Sequence, residues 1–168
     1  MSGRGFTLIE LTVVLLILAI LAAAVTLRAQ GPMSAARVDD AAGAVAAYDA
    51  ATRSAAQSQD RPLTLVIDLS EGRLSREDAH GRRVDSMPLD LPSSVRLSLW
   101  LDGRRIEGGQ ASIRVSSHGQ TPSYAVRIAS SGRETWRVFA GLTGGTLAVE
   151  DESQVQDILA VGAGRDAR

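Results

Sequence analysis

The chain has no cysteine in its 168 residues. It can therefore build no disulfide framework and no thiolate chemistry, and a domain made from it must hold together by strand pairing and core packing alone. A dominant charge is missing as well: Lys and Arg total 18 against 19 Asp and Glu, a formal net charge of -1. That balance argues against the broad basic stripe a nucleic-acid surface normally needs and leaves room only for a local patch. Aromatic residues are scarce at 4%, while 45% of residues are hydrophobic, and one modest domain is expected beyond the apolar N-terminal run.

Catalytic patterns are also lacking. No G-x-S-x-G elbow and no G-x-x-x-x-G-K-[ST] phosphate loop occurs, and each would have marked a specific chemistry. His80 and His118 each sit beside a glycine in expected turns without a partner at zinc-ligand spacing. Glu150, Asp151 and Glu152 form an acidic cluster without the ligand spacing of a calcium loop, and read as a solvated turn. The expectation is a protein that is not an enzyme and uses no cofactor or metal.

What the chain does have is MSGRG followed by FTLIELTVVLLILAILAAAVTL, an apolar run interrupted by one carboxylate, Glu10. From Phe6 to Leu27 a helix would extend roughly 33 Å at ~1.5 Å per residue, enough to cross a bilayer. A secretory signal would have a shorter apolar core, about 7–15 residues, before its cleavage site. A buried helix of a soluble domain would need more chain around it than remains. An ordinary anchor would not carry Glu10, because a carboxylate inside a span is costly and persists mainly where a partner awaits it. Two readings of Glu10 stand on the residues alone: it faces water at interface depth, or it awaits that partner.

The neighbouring residues carry a resemblance. Gly5-Phe6-Thr7-Leu8-Ile9-Glu10, after a leader with Arg4, resembles the processing motif of type IV prepilins and type II secretion prepseudopilins. The resemblance implies cleavage by prepilin peptidase between Gly5 and Phe6, N-methylation of Phe6, and a role for Glu10 in neutralising the amino terminus of an adjacent subunit. The physics is consistent, since opposite charges in low dielectric attract strongly and unpaired ones are costly. Arg4 ahead of the run places the N-terminus in the cytoplasm and the C-terminal domain in the periplasm.

Beyond the run, Gly31-Pro32 is expected to kink or briefly break the helix. Val38, Ala41, Ala42, Val45, Tyr48 and Ala55 then recur at helical spacing, with Arg37, Asp39, Asp40 and Arg53 largely on other faces and Asp49 placed to pair with Arg53. Strands are expected over 63–69, 73–76, 95–102, 111–116, 124–129 and 135–140, separated by glycine turns as in an antiparallel meander, with 77–92 a surface loop. Val155, Ile158, Leu159 and Val161 allow a short amphipathic helix. The fold class is α+β: a long N-terminal hydrophobic helix continuing into an amphipathic helix packed on an antiparallel β-sheet or β-sandwich-like domain. The segments are 1–5 leader, 6–28 transmembrane or filament-core helix, 29–60 amphipathic helix, 61–150 periplasmic β-domain and 151–168 C-terminal tail.

The order Ile113-Arg114-Val115-Ser116, Ala125-Val126-Arg127-Ile128, Trp136-Arg137-Val138 and Gly141-Leu142-Thr143-Gly144 resembles the C-terminal half of the GspH/FimT group of minor pseudopilins and minor pilins. This implies a filament subunit whose partners are prepilin peptidase, other major and minor pseudopilins, an inner-membrane assembly platform and exported cargo. FimT-like minor pilins are the alternative, some of which take up DNA through a glycine-arginine-rich tail. Here Gly164-Arg165 and Arg168 match that tail poorly, because Asp166 and Ala167 intervene, and two arginines make only a salt-sensitive phosphate contact.

Overall fold

The structure, a computed structural model, describes residues 8–166, with side chains described for 8–22 and 34–160. Its first element is a single helix, α1 (Leu8–Ser58), of 51 residues. The break expected at Gly31-Pro32 does not occur: the helix runs through both residues. A proline removes one N–H from the ladder, and long helical segments on both sides carry that local loss.

After Ser34 the helix buries one stripe: Val38, Ala41, Ala42, Val45, Tyr48, Asp49, Thr52, Arg53 and Ala56. This is the 3.6-residue period of a helix laid on a core. Ala55 packs half-buried against this core as expected, with the fully buried Ala56 beside it, whereas Arg53, expected on another face, lies inside the stripe at 6% exposure. The correction has a physical reason: in the last turns the stripe is polar, and Asp49 beside Arg53 lets a charge enter the interface paired. The helix stops where Asp60 turns left-handed (φ 45) and the Arg61 N–H returns to the Ala56 carbonyl at 3.2 Å. Pro62 then forbids continuation.

Among the described residues nine strands follow: β1 (Leu63–Asp68), β2 (Arg73–Glu77), β3 (Leu89–Asp90), β4 (Arg96–Leu101), β5 (Arg104–Ile106), β6 (Gln110–Val115), β7 (Tyr124–Ser130), β8 (Arg133–Phe139) and β9 (Thr146–Val149); α2 (Glu152–Asp166) is the last described element. They form two antiparallel sheets, β3-β2-β1-β6 and β5-β4-β7-β8-β9. The chain is therefore not one meander. It leaves the first sheet after β3, makes the β4–β5 hairpin in the second, and returns so that β6 pairs with β1 along Leu63↔Val115 to Asp68↔Gln110. Three short strands, β3, β5 and β9, were not among those expected, since two to four residues are too few to show a period.

The main core lies between α1 and the inner faces of both sheets, with Leu65, Ile67, Leu74, Leu99, Ile113, Val126 and Ile128 fully buried. At its centre Tyr124 and Phe139 stack with ring centroids 4.6 Å apart. A second cluster, Ala125, Trp136, Val138, Val149 and Val155, forms on the outer face of the five-stranded sheet, where α2 covers it.

Candidate functional site

Residues 8–22 of α1 are all exposed. Leu8 is 82% and Ile9 74% exposed, and the run from Leu11 to Leu21 shows apolar side chains on every face. A helix apolar all round is built to be surrounded by lipid or by other helices. Among the described residues no helix is long and apolar enough to cross a membrane, and the described side chains of this run stop at Ala22. Glu10 lies on this exposed segment, in the first turn of α1. Two residues on, the Thr12 hydroxyl donates to the Ile9 carbonyl at 2.8 Å, so its polar group is satisfied within the helix. Gly5 and Phe6 lie outside the described residues, as does Arg168. Arg165 falls within α2, and its side chain is outside the description.

The other end of α1 is fixed to the sheets by a buried polar cluster. Asp49, 1% exposed, accepts from Arg53 Nε at 2.7 Å and from the Tyr124 hydroxyl at 2.7 Å. Burial and the Asp49 charge push the Tyr124 phenol well above its ordinary range, so it stays protonated and donates. Arg53 reaches further: Nη1 donates to the carbonyls of Gly119 (3.1 Å) and Gly141 (2.9 Å), and Nη2 to the Thr121 hydroxyl (2.8 Å). One guanidinium thus holds the β6–β7 and β8–β9 connections together against the helix. Its planar fork of five donors suits the task, and lysine would not replace it.

A second tie lies one turn away. Arg76 of β2 stacks over the Tyr48 ring at 4.5 Å, and the Tyr48 hydroxyl donates to Asp85. Burial, reinforced by Asp85, raises the Tyr48 phenol. The loop 77–92 is therefore pinned to the helix rather than lying free.

The acidic cluster at 150–152 is split between structural tasks. Asp151 caps α2, accepting from the Ser153 N–H at 3.1 Å. Glu152 accepts from Trp100 Nε1 at 3.2 Å and from Arg105 Nη1 at 3.0 Å. Among the described residues no group of three or more His, Asp or Glu is placed to hold a metal ion. His118 and His80 are both exposed in turns, as the sequence suggested.

Sequence reasoning found Asp49–Arg53 as a pair but missed its burial and its link to Tyr124, Thr121, Gly119 and Gly141. A tyrosine opening a strand and glycines in the loops are common, so only their convergence, 66 to 88 residues away from Arg53 in sequence, reveals the cluster.

Comparison with known proteins bears on both ends of the chain. Residues 1–26 match the family model described as the prokaryotic N-terminal methylation motif. Two solved structures of the minor pseudopilin EpsH from the type II secretion system of Vibrio cholerae superimpose with TM-scores of 0.51 at 15% identity. One match covers 68% of this chain and 97% of EpsH; the other covers 67% and 95%. No curated protein matches by sequence. The chain thus joins an N-terminal methylation motif to a pilin-like α+β fold with an N-terminal helix packed on antiparallel sheets.

Proposed function

We propose that this protein is a minor pseudopilin subunit of a type II secretion pseudopilus, a structural component rather than an enzyme. It waits in the inner membrane with its C-terminal domain in the periplasm. Prepilin peptidase cuts between Gly5 and Phe6, Phe6 is N-methylated, and the segment 6–28 leaves the lipid to bundle with the helices of neighbouring subunits, initiating or capping the filament for protein export. Glu10 meets a neighbour's amino terminus as the helices stack, where a charge pair in low dielectric is favourable and a lone charge is not.

The observation that carries this reading is the division of α1. One continuous helix is exposed and apolar through 8–22 and buried against two sheets from Val38 to Ala56, and the motif sits on the exposed end. The domain is thereby mounted on a shaft whose free end is the assembly surface.

Co-expression with prepilin peptidase tests it. Mass spectrometry should find a chain beginning at a methylated Phe6, and an unshortened, unmethylated chain refutes the reading. Glu10→Leu should be inserted and cleaved normally but fail to enter filaments. Normal incorporation of that variant would remove the pairing role of Glu10.

A further inference from the structure

We propose that the free edge of β9 binds an extended segment of a different filament subunit by adding it as a sixth strand, and that Arg137 selects a segment bearing a carboxylate. This rests on the assembly reading above and names the kind of contact through which the domain meets its neighbour.

β9 ends the five-stranded sheet, paired with β8 along Trp136↔Val149, Arg137↔Ala148, Val138↔Leu147 and Phe139↔Thr146. The Ala140 N–H bonds the Gly145 carbonyl at 2.9 Å in the same register. Antiparallel pairs alternate between bonded and non-bonded, so Leu147 and Val149 face their ladder groups toward β8. The N–H and C=O of Thr146 and Ala148 point outward, away from the sheet.

Natural edges are usually guarded by charge, proline, bulges or extreme shortness. The other edges here are: β5 reads Arg-Arg-Ile, β3 has two residues flanked by Pro88 and Pro92, and β6 carries Gln110 and Arg114. β9 reads Thr-Leu-Ala-Val, with Thr146, Leu147 and Ala148 all exposed. Leu147 is 53% exposed. This strand has the unguarded edge.

Arg137 supplies the selectivity. It alternates with Trp136 and Val138, which belong to the outer cluster, so it lies on the inner face opposite Val126 and Ala148. Its side chain is half-buried, and its Nε is buried with no hydrogen-bond partner among the described residues. A buried donor left without an acceptor costs free energy that an incoming acceptor would recover, and a carboxylate is the strongest acceptor for a guanidinium N–H. Its neighbour toward the edge is the small Ala148. Strands lie about 4.8 Å apart, so an added strand would sit roughly 10 Å from β8, within joint reach of an arginine and a glutamate. Pairing of two β9 edges from identical copies would offer each Arg137 only Thr146 and Ala148 on the inner face of the added strand, neither of which carries a carboxylate. The occupant is therefore a different subunit with an acidic residue in an extended stretch.

The test uses the full chain in detergent micelles, with the purified periplasmic domains of the other pilin-like subunits of the same host as probes. At least one should bind. Ala148→Pro, which removes an outward N–H while sparing the β8 ladder, and Arg137→Glu should each weaken binding about tenfold or more, whereas Arg114→Glu on β6 should leave it unchanged. Circular dichroism and tryptophan emission verify that the variants are folded. Binding indifferent to both changes, absence of binding to every probe, or self-association abolished by Ala148→Pro would overturn the proposal. Cleavage at Gly5-Phe6 is read in the same preparations. A processed chain without edge-dependent binding sinks the edge alone, and an unprocessed one sinks the parent reading.

Discussion

Arg53 on α1 and Gly141 in the turn between β8 and β9 are joined by a 2.9 Å hydrogen bond from the guanidinium to the glycine carbonyl, 88 residues apart in sequence. The same guanidinium also holds Gly119, Thr121 and Asp49. A force applied along the shaft is therefore passed into both sheets at one point. Apart from this cluster and the Tyr48–Arg76–Asp85 tie one turn away, the helix grips the domain largely through alanine and valine, whose contacts are individually small.

Arg53→Met should consequently cost about 3–5 kcal/mol, because it strands the Asp49 carboxylate in the interface. Urea unfolding of the full chain in micelles, followed by tryptophan emission, measures this. Asp49→Asn combined with Arg53→Met should cost less than the sum of the single changes, since neither leaves a lone charge for the other. Strict additivity would show that the two residues act independently.

Gly141→Ala and Gly43→Ala should move stability in opposite directions. A Cβ at Gly141 would lie 2.1 Å from the Thr121 carbonyl oxygen and 2.9 Å from backbone atoms of Pro122 and Ser123. Backbone cannot swing aside, so the β6–β7 and β8–β9 connections must separate, and a loss above about 3 kcal/mol is expected. At Gly43, on the exposed side of α1, nothing lies within 4 Å of the added carbon. There alanine should stabilise by about 0.5–1 kcal/mol through helix propensity. Thermal melting of the two variants side by side gives the answer.

These two glycines also show what a sequence can reveal. The helical stripe from Val38 to Tyr48, the pairing of Asp49 with Arg53 and the principal strands are periodic or local, and all were legible. Arg53 reads as lying on another side of the helix because hydropathy alone sends a charge to water, whereas the structure buries it beside Asp49 with three further partners, Gly119, Thr121 and Gly141, contributed by distant loops. The short edge strands and the return of β6 to β1 were hidden for a related reason: their pairing depends on which sheet the chain re-enters, and two to four residues carry no period. The N-terminal methylation motif within residues 1–26 was legible because it is contiguous.

Acid should loosen the turn after β2 only at low pH. Asp78 accepts from the Arg82 N–H at 3.0 Å, the His80 N–H at 2.8 Å and Arg82 Nε at 2.9 Å. The Arg82 backbone bond leads in lowering its carboxyl to about 2 from the ordinary 3.8. A folded value below the unfolded one means its contribution is fully present above about pH 4 and is lost as pH falls through about 2. Carboxyl NMR titration should therefore find Asp78 ionised at pH 3. A midpoint near 3.8 would contradict the hydrogen bonds that define the turn.

The cover formed by α2 can be read directly, because the only two tryptophans of the chain, Trp100 and Trp136, both lie beneath it. Trp136 is 1% exposed, and Val155 of α2 is fully buried in the same cluster. At the near end of the helix Glu152 joins Trp100 and Arg105, with side chains about a third exposed. Such a pair contributes only about 0–1 kcal/mol in water, so apolar burial of Val155 dominates the attachment. Val155→Asp should therefore release α2 and sharply raise acrylamide quenching, with a red shift in emission. Glu152→Gln should produce a small increase at low salt and less in 1 M salt, where the ion pair is already screened. Unchanged quenching in Val155→Asp would mean that the sheet itself, not α2, shields the tryptophans. A larger effect from Glu152→Gln than from Val155→Asp would reverse the ranking and make the ion pair the main fastening of the C-terminal helix.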